Sequence, residues 1–266
     1  MNKQLIYSLR RSVYWFLAEI DRLAGRENSA VILVFHAVDD GNWFFGNSRA
    51  QLEAYLKELS KHYKIISLSE MMDAIQKNKH YMEKVMAITF DDGYHNIMSV
   101  APLFKELGIK PTVFALSDSQ NANREELETQ QDLLTDSELL MLHRMFSWEV
   151  GSHTATHEDL SKLNTKELQK QIHDSRKKLG KLLETEIQYF AYPKGGHSDE
   201  IVKHVQKAGY KAAFTMDHNE ITLLGDLHRI PRVGINRTHT PHEALNSISP
   251  SVLKFKNFIT KYIKNI

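Results

Sequence analysis

Two stretches of this chain carry residues that could do chemistry together. One is 89–93, TFDDG, where adjacent carboxylates, Asp91 and Asp92, end an apolar run. The other is 153–157, HTATH, where His153 and His157 stand four residues apart. Two like charges at the end of a buried strand need a cation or a proton to be tolerated. In one turn of helix, a four-residue spacing brings both imidazoles to one face, within reach of one ion. Two His and one carboxylate make a catalytic metal set that leaves a position open for water. Zn²⁺ suits such ligands, and Co²⁺, Ni²⁺ or Fe²⁺ would also fit. If one Asp ligates the dication, its charge is offset there. The other Asp is then free to act as a base toward a water whose pKa the metal has lowered. Gly93 permits the tight backbone that lets neighbouring side chains converge.

These groups meet only if the elements that carry them run side by side. Short apolar runs at 31–35, 63–67, 85–90, 111–116, 147–150, 189–192, 212–215 and 230–234 read as strands. Helical patterns fall between them, at 48–62, 68–77, 97–107, 135–145, 164–183 and 198–208. Alternating strands and helices favour a parallel sheet, open or closed to a barrel, with its chemistry at the carboxyl ends of the strands. The polar residues just after the strands are His36, Asp91 and Asp92, His153 and His157, Lys194 and His197, and Arg237 and His239. Parallel strands would gather all of them at one end of the fold.

TFDDG, HTATH and FAYPKG at 190–195 resemble the first three motifs of the NodB-type polysaccharide deacetylases, carbohydrate esterase family 4. The resemblance runs over roughly residues 32–236, and VILVFHAV resembles the opening strand of the biofilm-glycan and O-antigen-cluster branch. It implies an α/β fold, a distorted (β/α)7-type barrel of parallel strands with outer helices. It also implies metal-dependent hydrolysis of N-acetyl, less often O-acetyl, groups of glycans. Asp91 would be the base, and Asp92, His153 and His157 would hold the metal. The backbone N–H of Lys194 would face the oxyanion. Two features depart from the family pattern. The Arg that usually follows the Phe of the third motif, and orients the base, is Ala191 here. The usual Leu-x-His that supplies the general acid is not visible as such. Arg232, in RIPRV, is the expected substitute for the missing Arg. Strand alternation puts Ile230 and Arg232 on one face, so Arg232 points inward only if Ile230 does. His239, after the last strand, is the candidate acid, with His36 and His197 as further pocket candidates.

The composition sets the remaining bounds. With 266 residues, the chain can form one barrel, and the absence of cysteine excludes a disulfide scaffold and any thiolate chemistry. A net charge of +1 gives no global field toward nucleic acid. The expected partner is an acetylated glycan or lipid-linked sugar. Residues 1–28 read as an amphipathic helix with a basic flank, 29–245 as the catalytic domain, and 246–266 as a second basic amphipathic helix. Charges interrupt the apolar residues at the N-terminus, so neither a secretory core nor a spanning helix is expected. The expected location is cytoplasmic, with the basic ends available to meet the inner membrane surface. The altered third motif also admits a different class of function, a glycan-binding or assembly protein on a decayed deacetylase fold. Bound metal and acetate release separate the two.

Overall fold

The computed structural model describes residues 3–77, 84–222 and 225–263. The first two residues and the last three of the expected terminal helices lie outside these. The strands are β1 (Ala30–Phe35), β2 (Ala37–Val38), β3 (Gly46–Asn47), β4 (Lys64–Ile65), β5 (Val85–Phe90), β6 (Thr112–Ala115), β7 (Glu149–Ser152), β8 (Tyr189–Ala191), β9 (Ala212–Phe214) and β10 (Val233–Gly234). β1 and β5 are buried at every position, as continuous apolar runs covered on both faces must be.

One parallel sheet runs in the order β10-β1-β5-β6-β7-β8-β9, with β4 also paired to β5. Its two ends meet on a single segment. Ile230 bridges Phe214 of β9, while Val233 and Gly234 pair with β1. Pro231 stands between them without an N–H, so the strand expected over 230–234 splits into a bridge and a two-residue strand. The sheet thus curls into the distorted (β/α)7-type barrel expected from the sequence. β2 and β3 pair separately and hold the loop that carries Trp43, Phe44 and Phe45.

The helices are α1 (Lys3–Leu23), α2 (Arg49–Leu59), α3 (Leu68–Gln76), α4 (Ala101–Glu106), α5 (Arg124–Leu127), α6 (Asp136–Phe146), α7 (Thr165–Gln169), α8 (Ser175–Leu183), α9 (Asp199–Lys207), α10 (Pro241–Asn246) and α11 (Pro250–Ile263). Capping boxes open five of them, at Ser48, Ser67, Thr135, Asn164 and Thr240. Each satisfies two N–H groups that a helix start leaves unpaired. The helix expected over 164–183 is α7 and α8 joined by a π-helical turn, Lys170–Asp174.

Period-two alternation separates two cores. Met86, Ile88 and Phe90 of β5 face outward into the layer between sheet and helices. Val85 and Ala87 face inward, with Phe114, Ala191, Phe214 and Ile230. α3 adds Leu68, Met71, Met72 and Ile75 to this inner cluster, beside Ala30 and Val85 at the amino ends of β1 and β5. The other end of the barrel is left for polar residues. The inward phase of β5 continues through Thr89 to Asp91, and that of the closing segment from Ile230 to Arg232.

The inner core leaves little spare room. A Cβ on Gly151 would overlap the ring of Phe114 and approach the Tyr189 carbonyl to 3.1 Å. Gly151→Ala should therefore destabilise the fold by about 1–3 kcal/mol through overpacking. Urea unfolding monitored by circular dichroism would measure this, and an unchanged midpoint would show that Phe114 can move aside.

Candidate active site and metal centre

β5 delivers Asp91 to the end of the barrel, where its N–H donates to the Phe35 carbonyl at 2.9 Å. The chain then reverses through two left-handed residues, Asp92 (φ 68°) and Gly93 (φ 71°). That reversal brings the Asp92 side chain to the same place as its neighbour, against strand alternation. β7 delivers His153, whose N–H donates to Ala115 O at 2.9 Å.

HTATH is not a turn of helix as its spacing suggested. It is a compact loop with Thr154 (φ 76°) and His157 (φ 64°) in the left-handed region. Gln171, on the π-helical turn, holds this loop. Its Oε1 accepts from the N–H groups of Ala155 and Thr156, at 3.0 Å each, and its Nε2 donates to Thr156 Oγ1 at 2.7 Å. Such turns are common at functional sites. Non-glycine residues in the left-handed region cost about 1–3 kcal/mol each, so their concentration here marks a geometry the fold enforces.

The result is a tight triangle. Asp92 Oδ1 lies 3.2 Å from His153 Nε2 and 3.3 Å from His157 Nε2. The three ligand atoms fall within 4.8 Å of one another, and all three residues are buried. His153 Nδ1 sits 2.9 Å from the Ala191 carbonyl, which can accept only a proton-bearing nitrogen. That bond leaves the Nε2 lone pair facing Asp92. His157 Nδ1 is buried with no partner among the described residues. Lone pairs and a carboxylate converging out of water call for a cation. Burial would raise the Asp92 carboxyl, but His153 and His157 beside it hold it well below its usual range. Burial lowers His153, and the charges of Asp91 and Asp92 more than reverse this. The same demand for positive charge fits a divalent ion with one oxygen and two nitrogen ligands.

Asp91 is held differently. Arg232, fully buried, forks onto it, with Nη1 to Oδ1 and Nη2 to Oδ2 at 2.7 Å each. Nη1 also reaches Thr89 Oγ1 at 3.2 Å, and the guanidinium lies over the rings of Phe114 and Phe214. Burial pushes the Asp91 carboxyl up. Arg232 and His153 outweigh it, so the carboxyl stays below its ordinary value. Ile230 is buried in the inner cluster as alternation requires, and Arg232 follows it inward.

A cavity of about 360 Å³ opens over Asp91, Asp92, His153 and His157. His36, Trp43 and Phe45 form one wall, with His36 against Phe45 at 5.0 Å between ring centres. Glu126, Glu128 and Lys194 form the rim, and the Lys194 ammonium pairs with both carboxylates, at 2.9 and 3.1 Å. Lys194 itself is left-handed (φ 52°), and a Cβ on the next residue, Gly195, would come within 2.7 Å of Met216. His197 packs on Tyr192, off the cavity lining.

His239 requires a correction. It does not line the cavity. Its Nδ1 is engaged with Asn236, and burial together with Lys256 and Arg10 lowers its pKa to about 3. Beside His36, His153 and His157, the cavity is lined by His218, four residues beyond the end of β9. Asn257 of α11 donates to its carbonyl at 2.7 Å, and burial and Lys256 lower its pKa to about 4. A signal for it was present. Met216-Asp217-His218 follows a strand and has the Leu-x-His spacing, with Met in place of Leu.

The sequence matches the polysaccharide deacetylase family over residues 78–213. It is 28% identical to a poly-beta-1,6-N-acetyl-D-glucosamine N-deacetylase of Staphylococcus aureus over 240 residues, 81% of each chain. Among solved structures, the fold is similar to Streptococcus pyogenes deacetylase PplD in complex with acetate. That likeness has a TM-score of 0.73 and 21% identity, over 84% of this chain and 100% of that one. A polysaccharide deacetylase from Bacillus cereus gives a TM-score of 0.70 at 25% identity, over 84% and 70%.

Removing Arg232 would leave Asp91 as an unpaired buried charge. Arg232→Met should cost about 3–5 kcal/mol of stability at neutral pH. The deficit should shrink as the pH falls and Asp91 takes up a proton, since the pair's contribution is lost below the folded-state pKa. Adding Asp91→Asn should recover part of it. Denaturant unfolding of the three proteins across pH tests this, and a pH-independent deficit would contradict it.

Proposed function

This chain belongs to the polysaccharide deacetylase family, and we propose that it removes N-acetyl groups from a glycan built of N-acetylhexosamine units. The observation that carries this reading is the meeting, in one cavity, of the Asp92–His153–His157 triangle and an Asp91 locked by Arg232. The named relative from Staphylococcus aureus makes poly-N-acetylglucosamine the first substrate to try.

A divalent ion, most suitably Zn²⁺ with Co²⁺, Ni²⁺ or Fe²⁺ as alternatives, would be held by Asp92, His153 and His157 and would supply Lewis acidity and an acidified water. Asp91 accepts the proton of the attacking water. The low pKa that Arg232 imposes keeps it ionised for that task, and the two-point fork fixes its orientation. As water adds to the acetyl carbon, negative charge grows on the carbonyl oxygen, and the Lys194 N–H is the donor assigned to it. His218 passes a proton to the nitrogen as the C–N bond breaks, leaving acetate and a free amine. Trp43 and Phe45 offer an aromatic wall against which a sugar ring can lie.

Acetate release from poly-N-acetylglucosamine oligomers, with metal analysis of the same samples, tests the reading. The wild type should carry one dication per chain, and His153→Ala should lose it. Asp91→Asn should keep the metal and lose about 10²–10⁴-fold in kcat. Metal-loaded wild type that releases no acetate from any acetylated glycan would leave a binding role instead.

The acid assignment has its own test. His218→Ala should lower kcat by about 10²–10⁴-fold, whereas His239→Ala should keep wild-type kcat in whatever fraction folds. The reverse pattern would restore His239.

A further inference from the structure

α1 faces the wrong way for a helix that serves only to cover a domain. Tyr14, Ala18 and Asp21 are the residues it buries against the fold. Leu5, Leu9, Phe16, Ile20 and Leu23 recur at spacings of three, four and seven, so they form one stripe on the opposite side. That stripe is open to solvent, with Leu9 63%, Phe16 59% and Leu23 83% exposed. Trp15, also exposed, lies on its flank with Arg11 and Arg22, at spacings of four and seven. From Leu5 to Leu23 the stripe is about 27 Å long at 1.5 Å per residue.

Basic residues outnumber acidic ones on α1 and its neighbour α11. α1 and α11 together hold seven Lys and Arg against two acids, in a chain whose net charge is only +1. The helices are antiparallel neighbours. Ser251 donates to Asp21, and the Lys256 ammonium lies over the Tyr14 ring. Further along α11, Phe258 is exposed and Thr260 lines the cavity. The N-terminal half of α1 is tied to the mouth of the cavity as well. Arg10 donates to Thr238, and Arg237 donates to the Trp43 carbonyl, next to exposed Phe44 and Phe45. α1 is thus linked, through residues 237 and 238, to the loop that carries the aromatic lip of the cavity.

From this arrangement we propose that α1 docks on an anionic phospholipid surface, lying in its plane with Leu5, Leu9, Phe16, Ile20 and Leu23 in the interfacial layer and the cavity mouth beside it. A convex apolar ridge with an indole at its border and cations on its flanks is what such a surface binds. It needs no shaped partner. A second copy meeting the same face about a two-fold axis would bring two cationic patches together and repel. No helix among the described residues is long and apolar enough to cross a membrane, so the contact is peripheral. The inference does not depend on the acetyl chemistry.

Flotation of the full chain with phosphatidylglycerol–phosphatidylcholine vesicles, and with phosphatidylcholine alone, tests it. The wild type should float with the anionic vesicles and be released by salt, and Trp15 emission should shift to the blue, a change absent in Trp15→Phe. Leu9→Glu with Phe16→Glu should weaken vesicle binding by roughly tenfold or more. Its circular dichroism and its activity on a soluble acetylated oligomer should stay as in the wild type. A wild type that stays out of the anionic vesicles, or a double variant that floats equally well, would overturn the proposal. So would a lipid-free dimer, seen by light scattering, that the double variant dissolves, since the face would then belong to a second copy.

Discussion

The fork between Arg232 and Asp91 spans the end of the barrel and couples its closure to its chemistry. Arg232 lies on the one segment that touches both ends of the sheet, and Asp91 extends β5 on the other side of the interior. Neither group could be buried alone, because an unpaired charge in that surrounding would cost several kcal/mol. Phe114 and Phe214 floor the guanidinium, and Gly151 has no side chain because Phe114 occupies the space one would need. The inner core is therefore arranged around an ion pair, and that pair also holds the Asp91 carboxyl below its ordinary value.

The base and the metal site share this support. The Ala191 carbonyl receives the Nδ1 proton of His153. The side chain that reaches Asp91 comes instead from across the barrel, from Arg232. Asp91 in turn is one of the charges that raise His153. Orientation, protonation and ion affinity are set by one small group of contacts, so a change in any of them is felt in the others.

Much of this was legible in the sequence. Residues following apolar strands converge in a parallel barrel, and Asp91, Asp92, His153 and His157 did so because the strands before them read clearly. Arg232 was expected inward only on the condition that Ile230 faced inward, and both are buried on that side. Other features were hidden by local conformation. A four-residue His spacing suggests a helix, but Thr154 and His157 adopt left-handed angles that no periodicity encodes. Gln171 reaches that loop only because one helical turn widens to a π turn. His218, which lines the cavity, was not singled out because Met216 stands where a Leu would begin the three-residue pattern. His239 was misplaced because position after a strand does not say which way a loop then folds. The helical pattern of α1 was plain, yet its periodicity could not tell which face the domain would take.

The closing segment has a consequence for the order in which the molecule becomes itself. Val233 and Gly234 pair with β1, some two hundred residues earlier in the chain. Contacts of such separation form late, because the loop entropy must be met before the contact rewards it. A chain emerging from the ribosome carries Asp92, His153 and His157 well before Arg232. Asp92, His153 and His157 can therefore gather while Asp91 still lacks its partner. The last strand to arrive brings Arg232 to an Asp91 that would otherwise stay an unpaired charge.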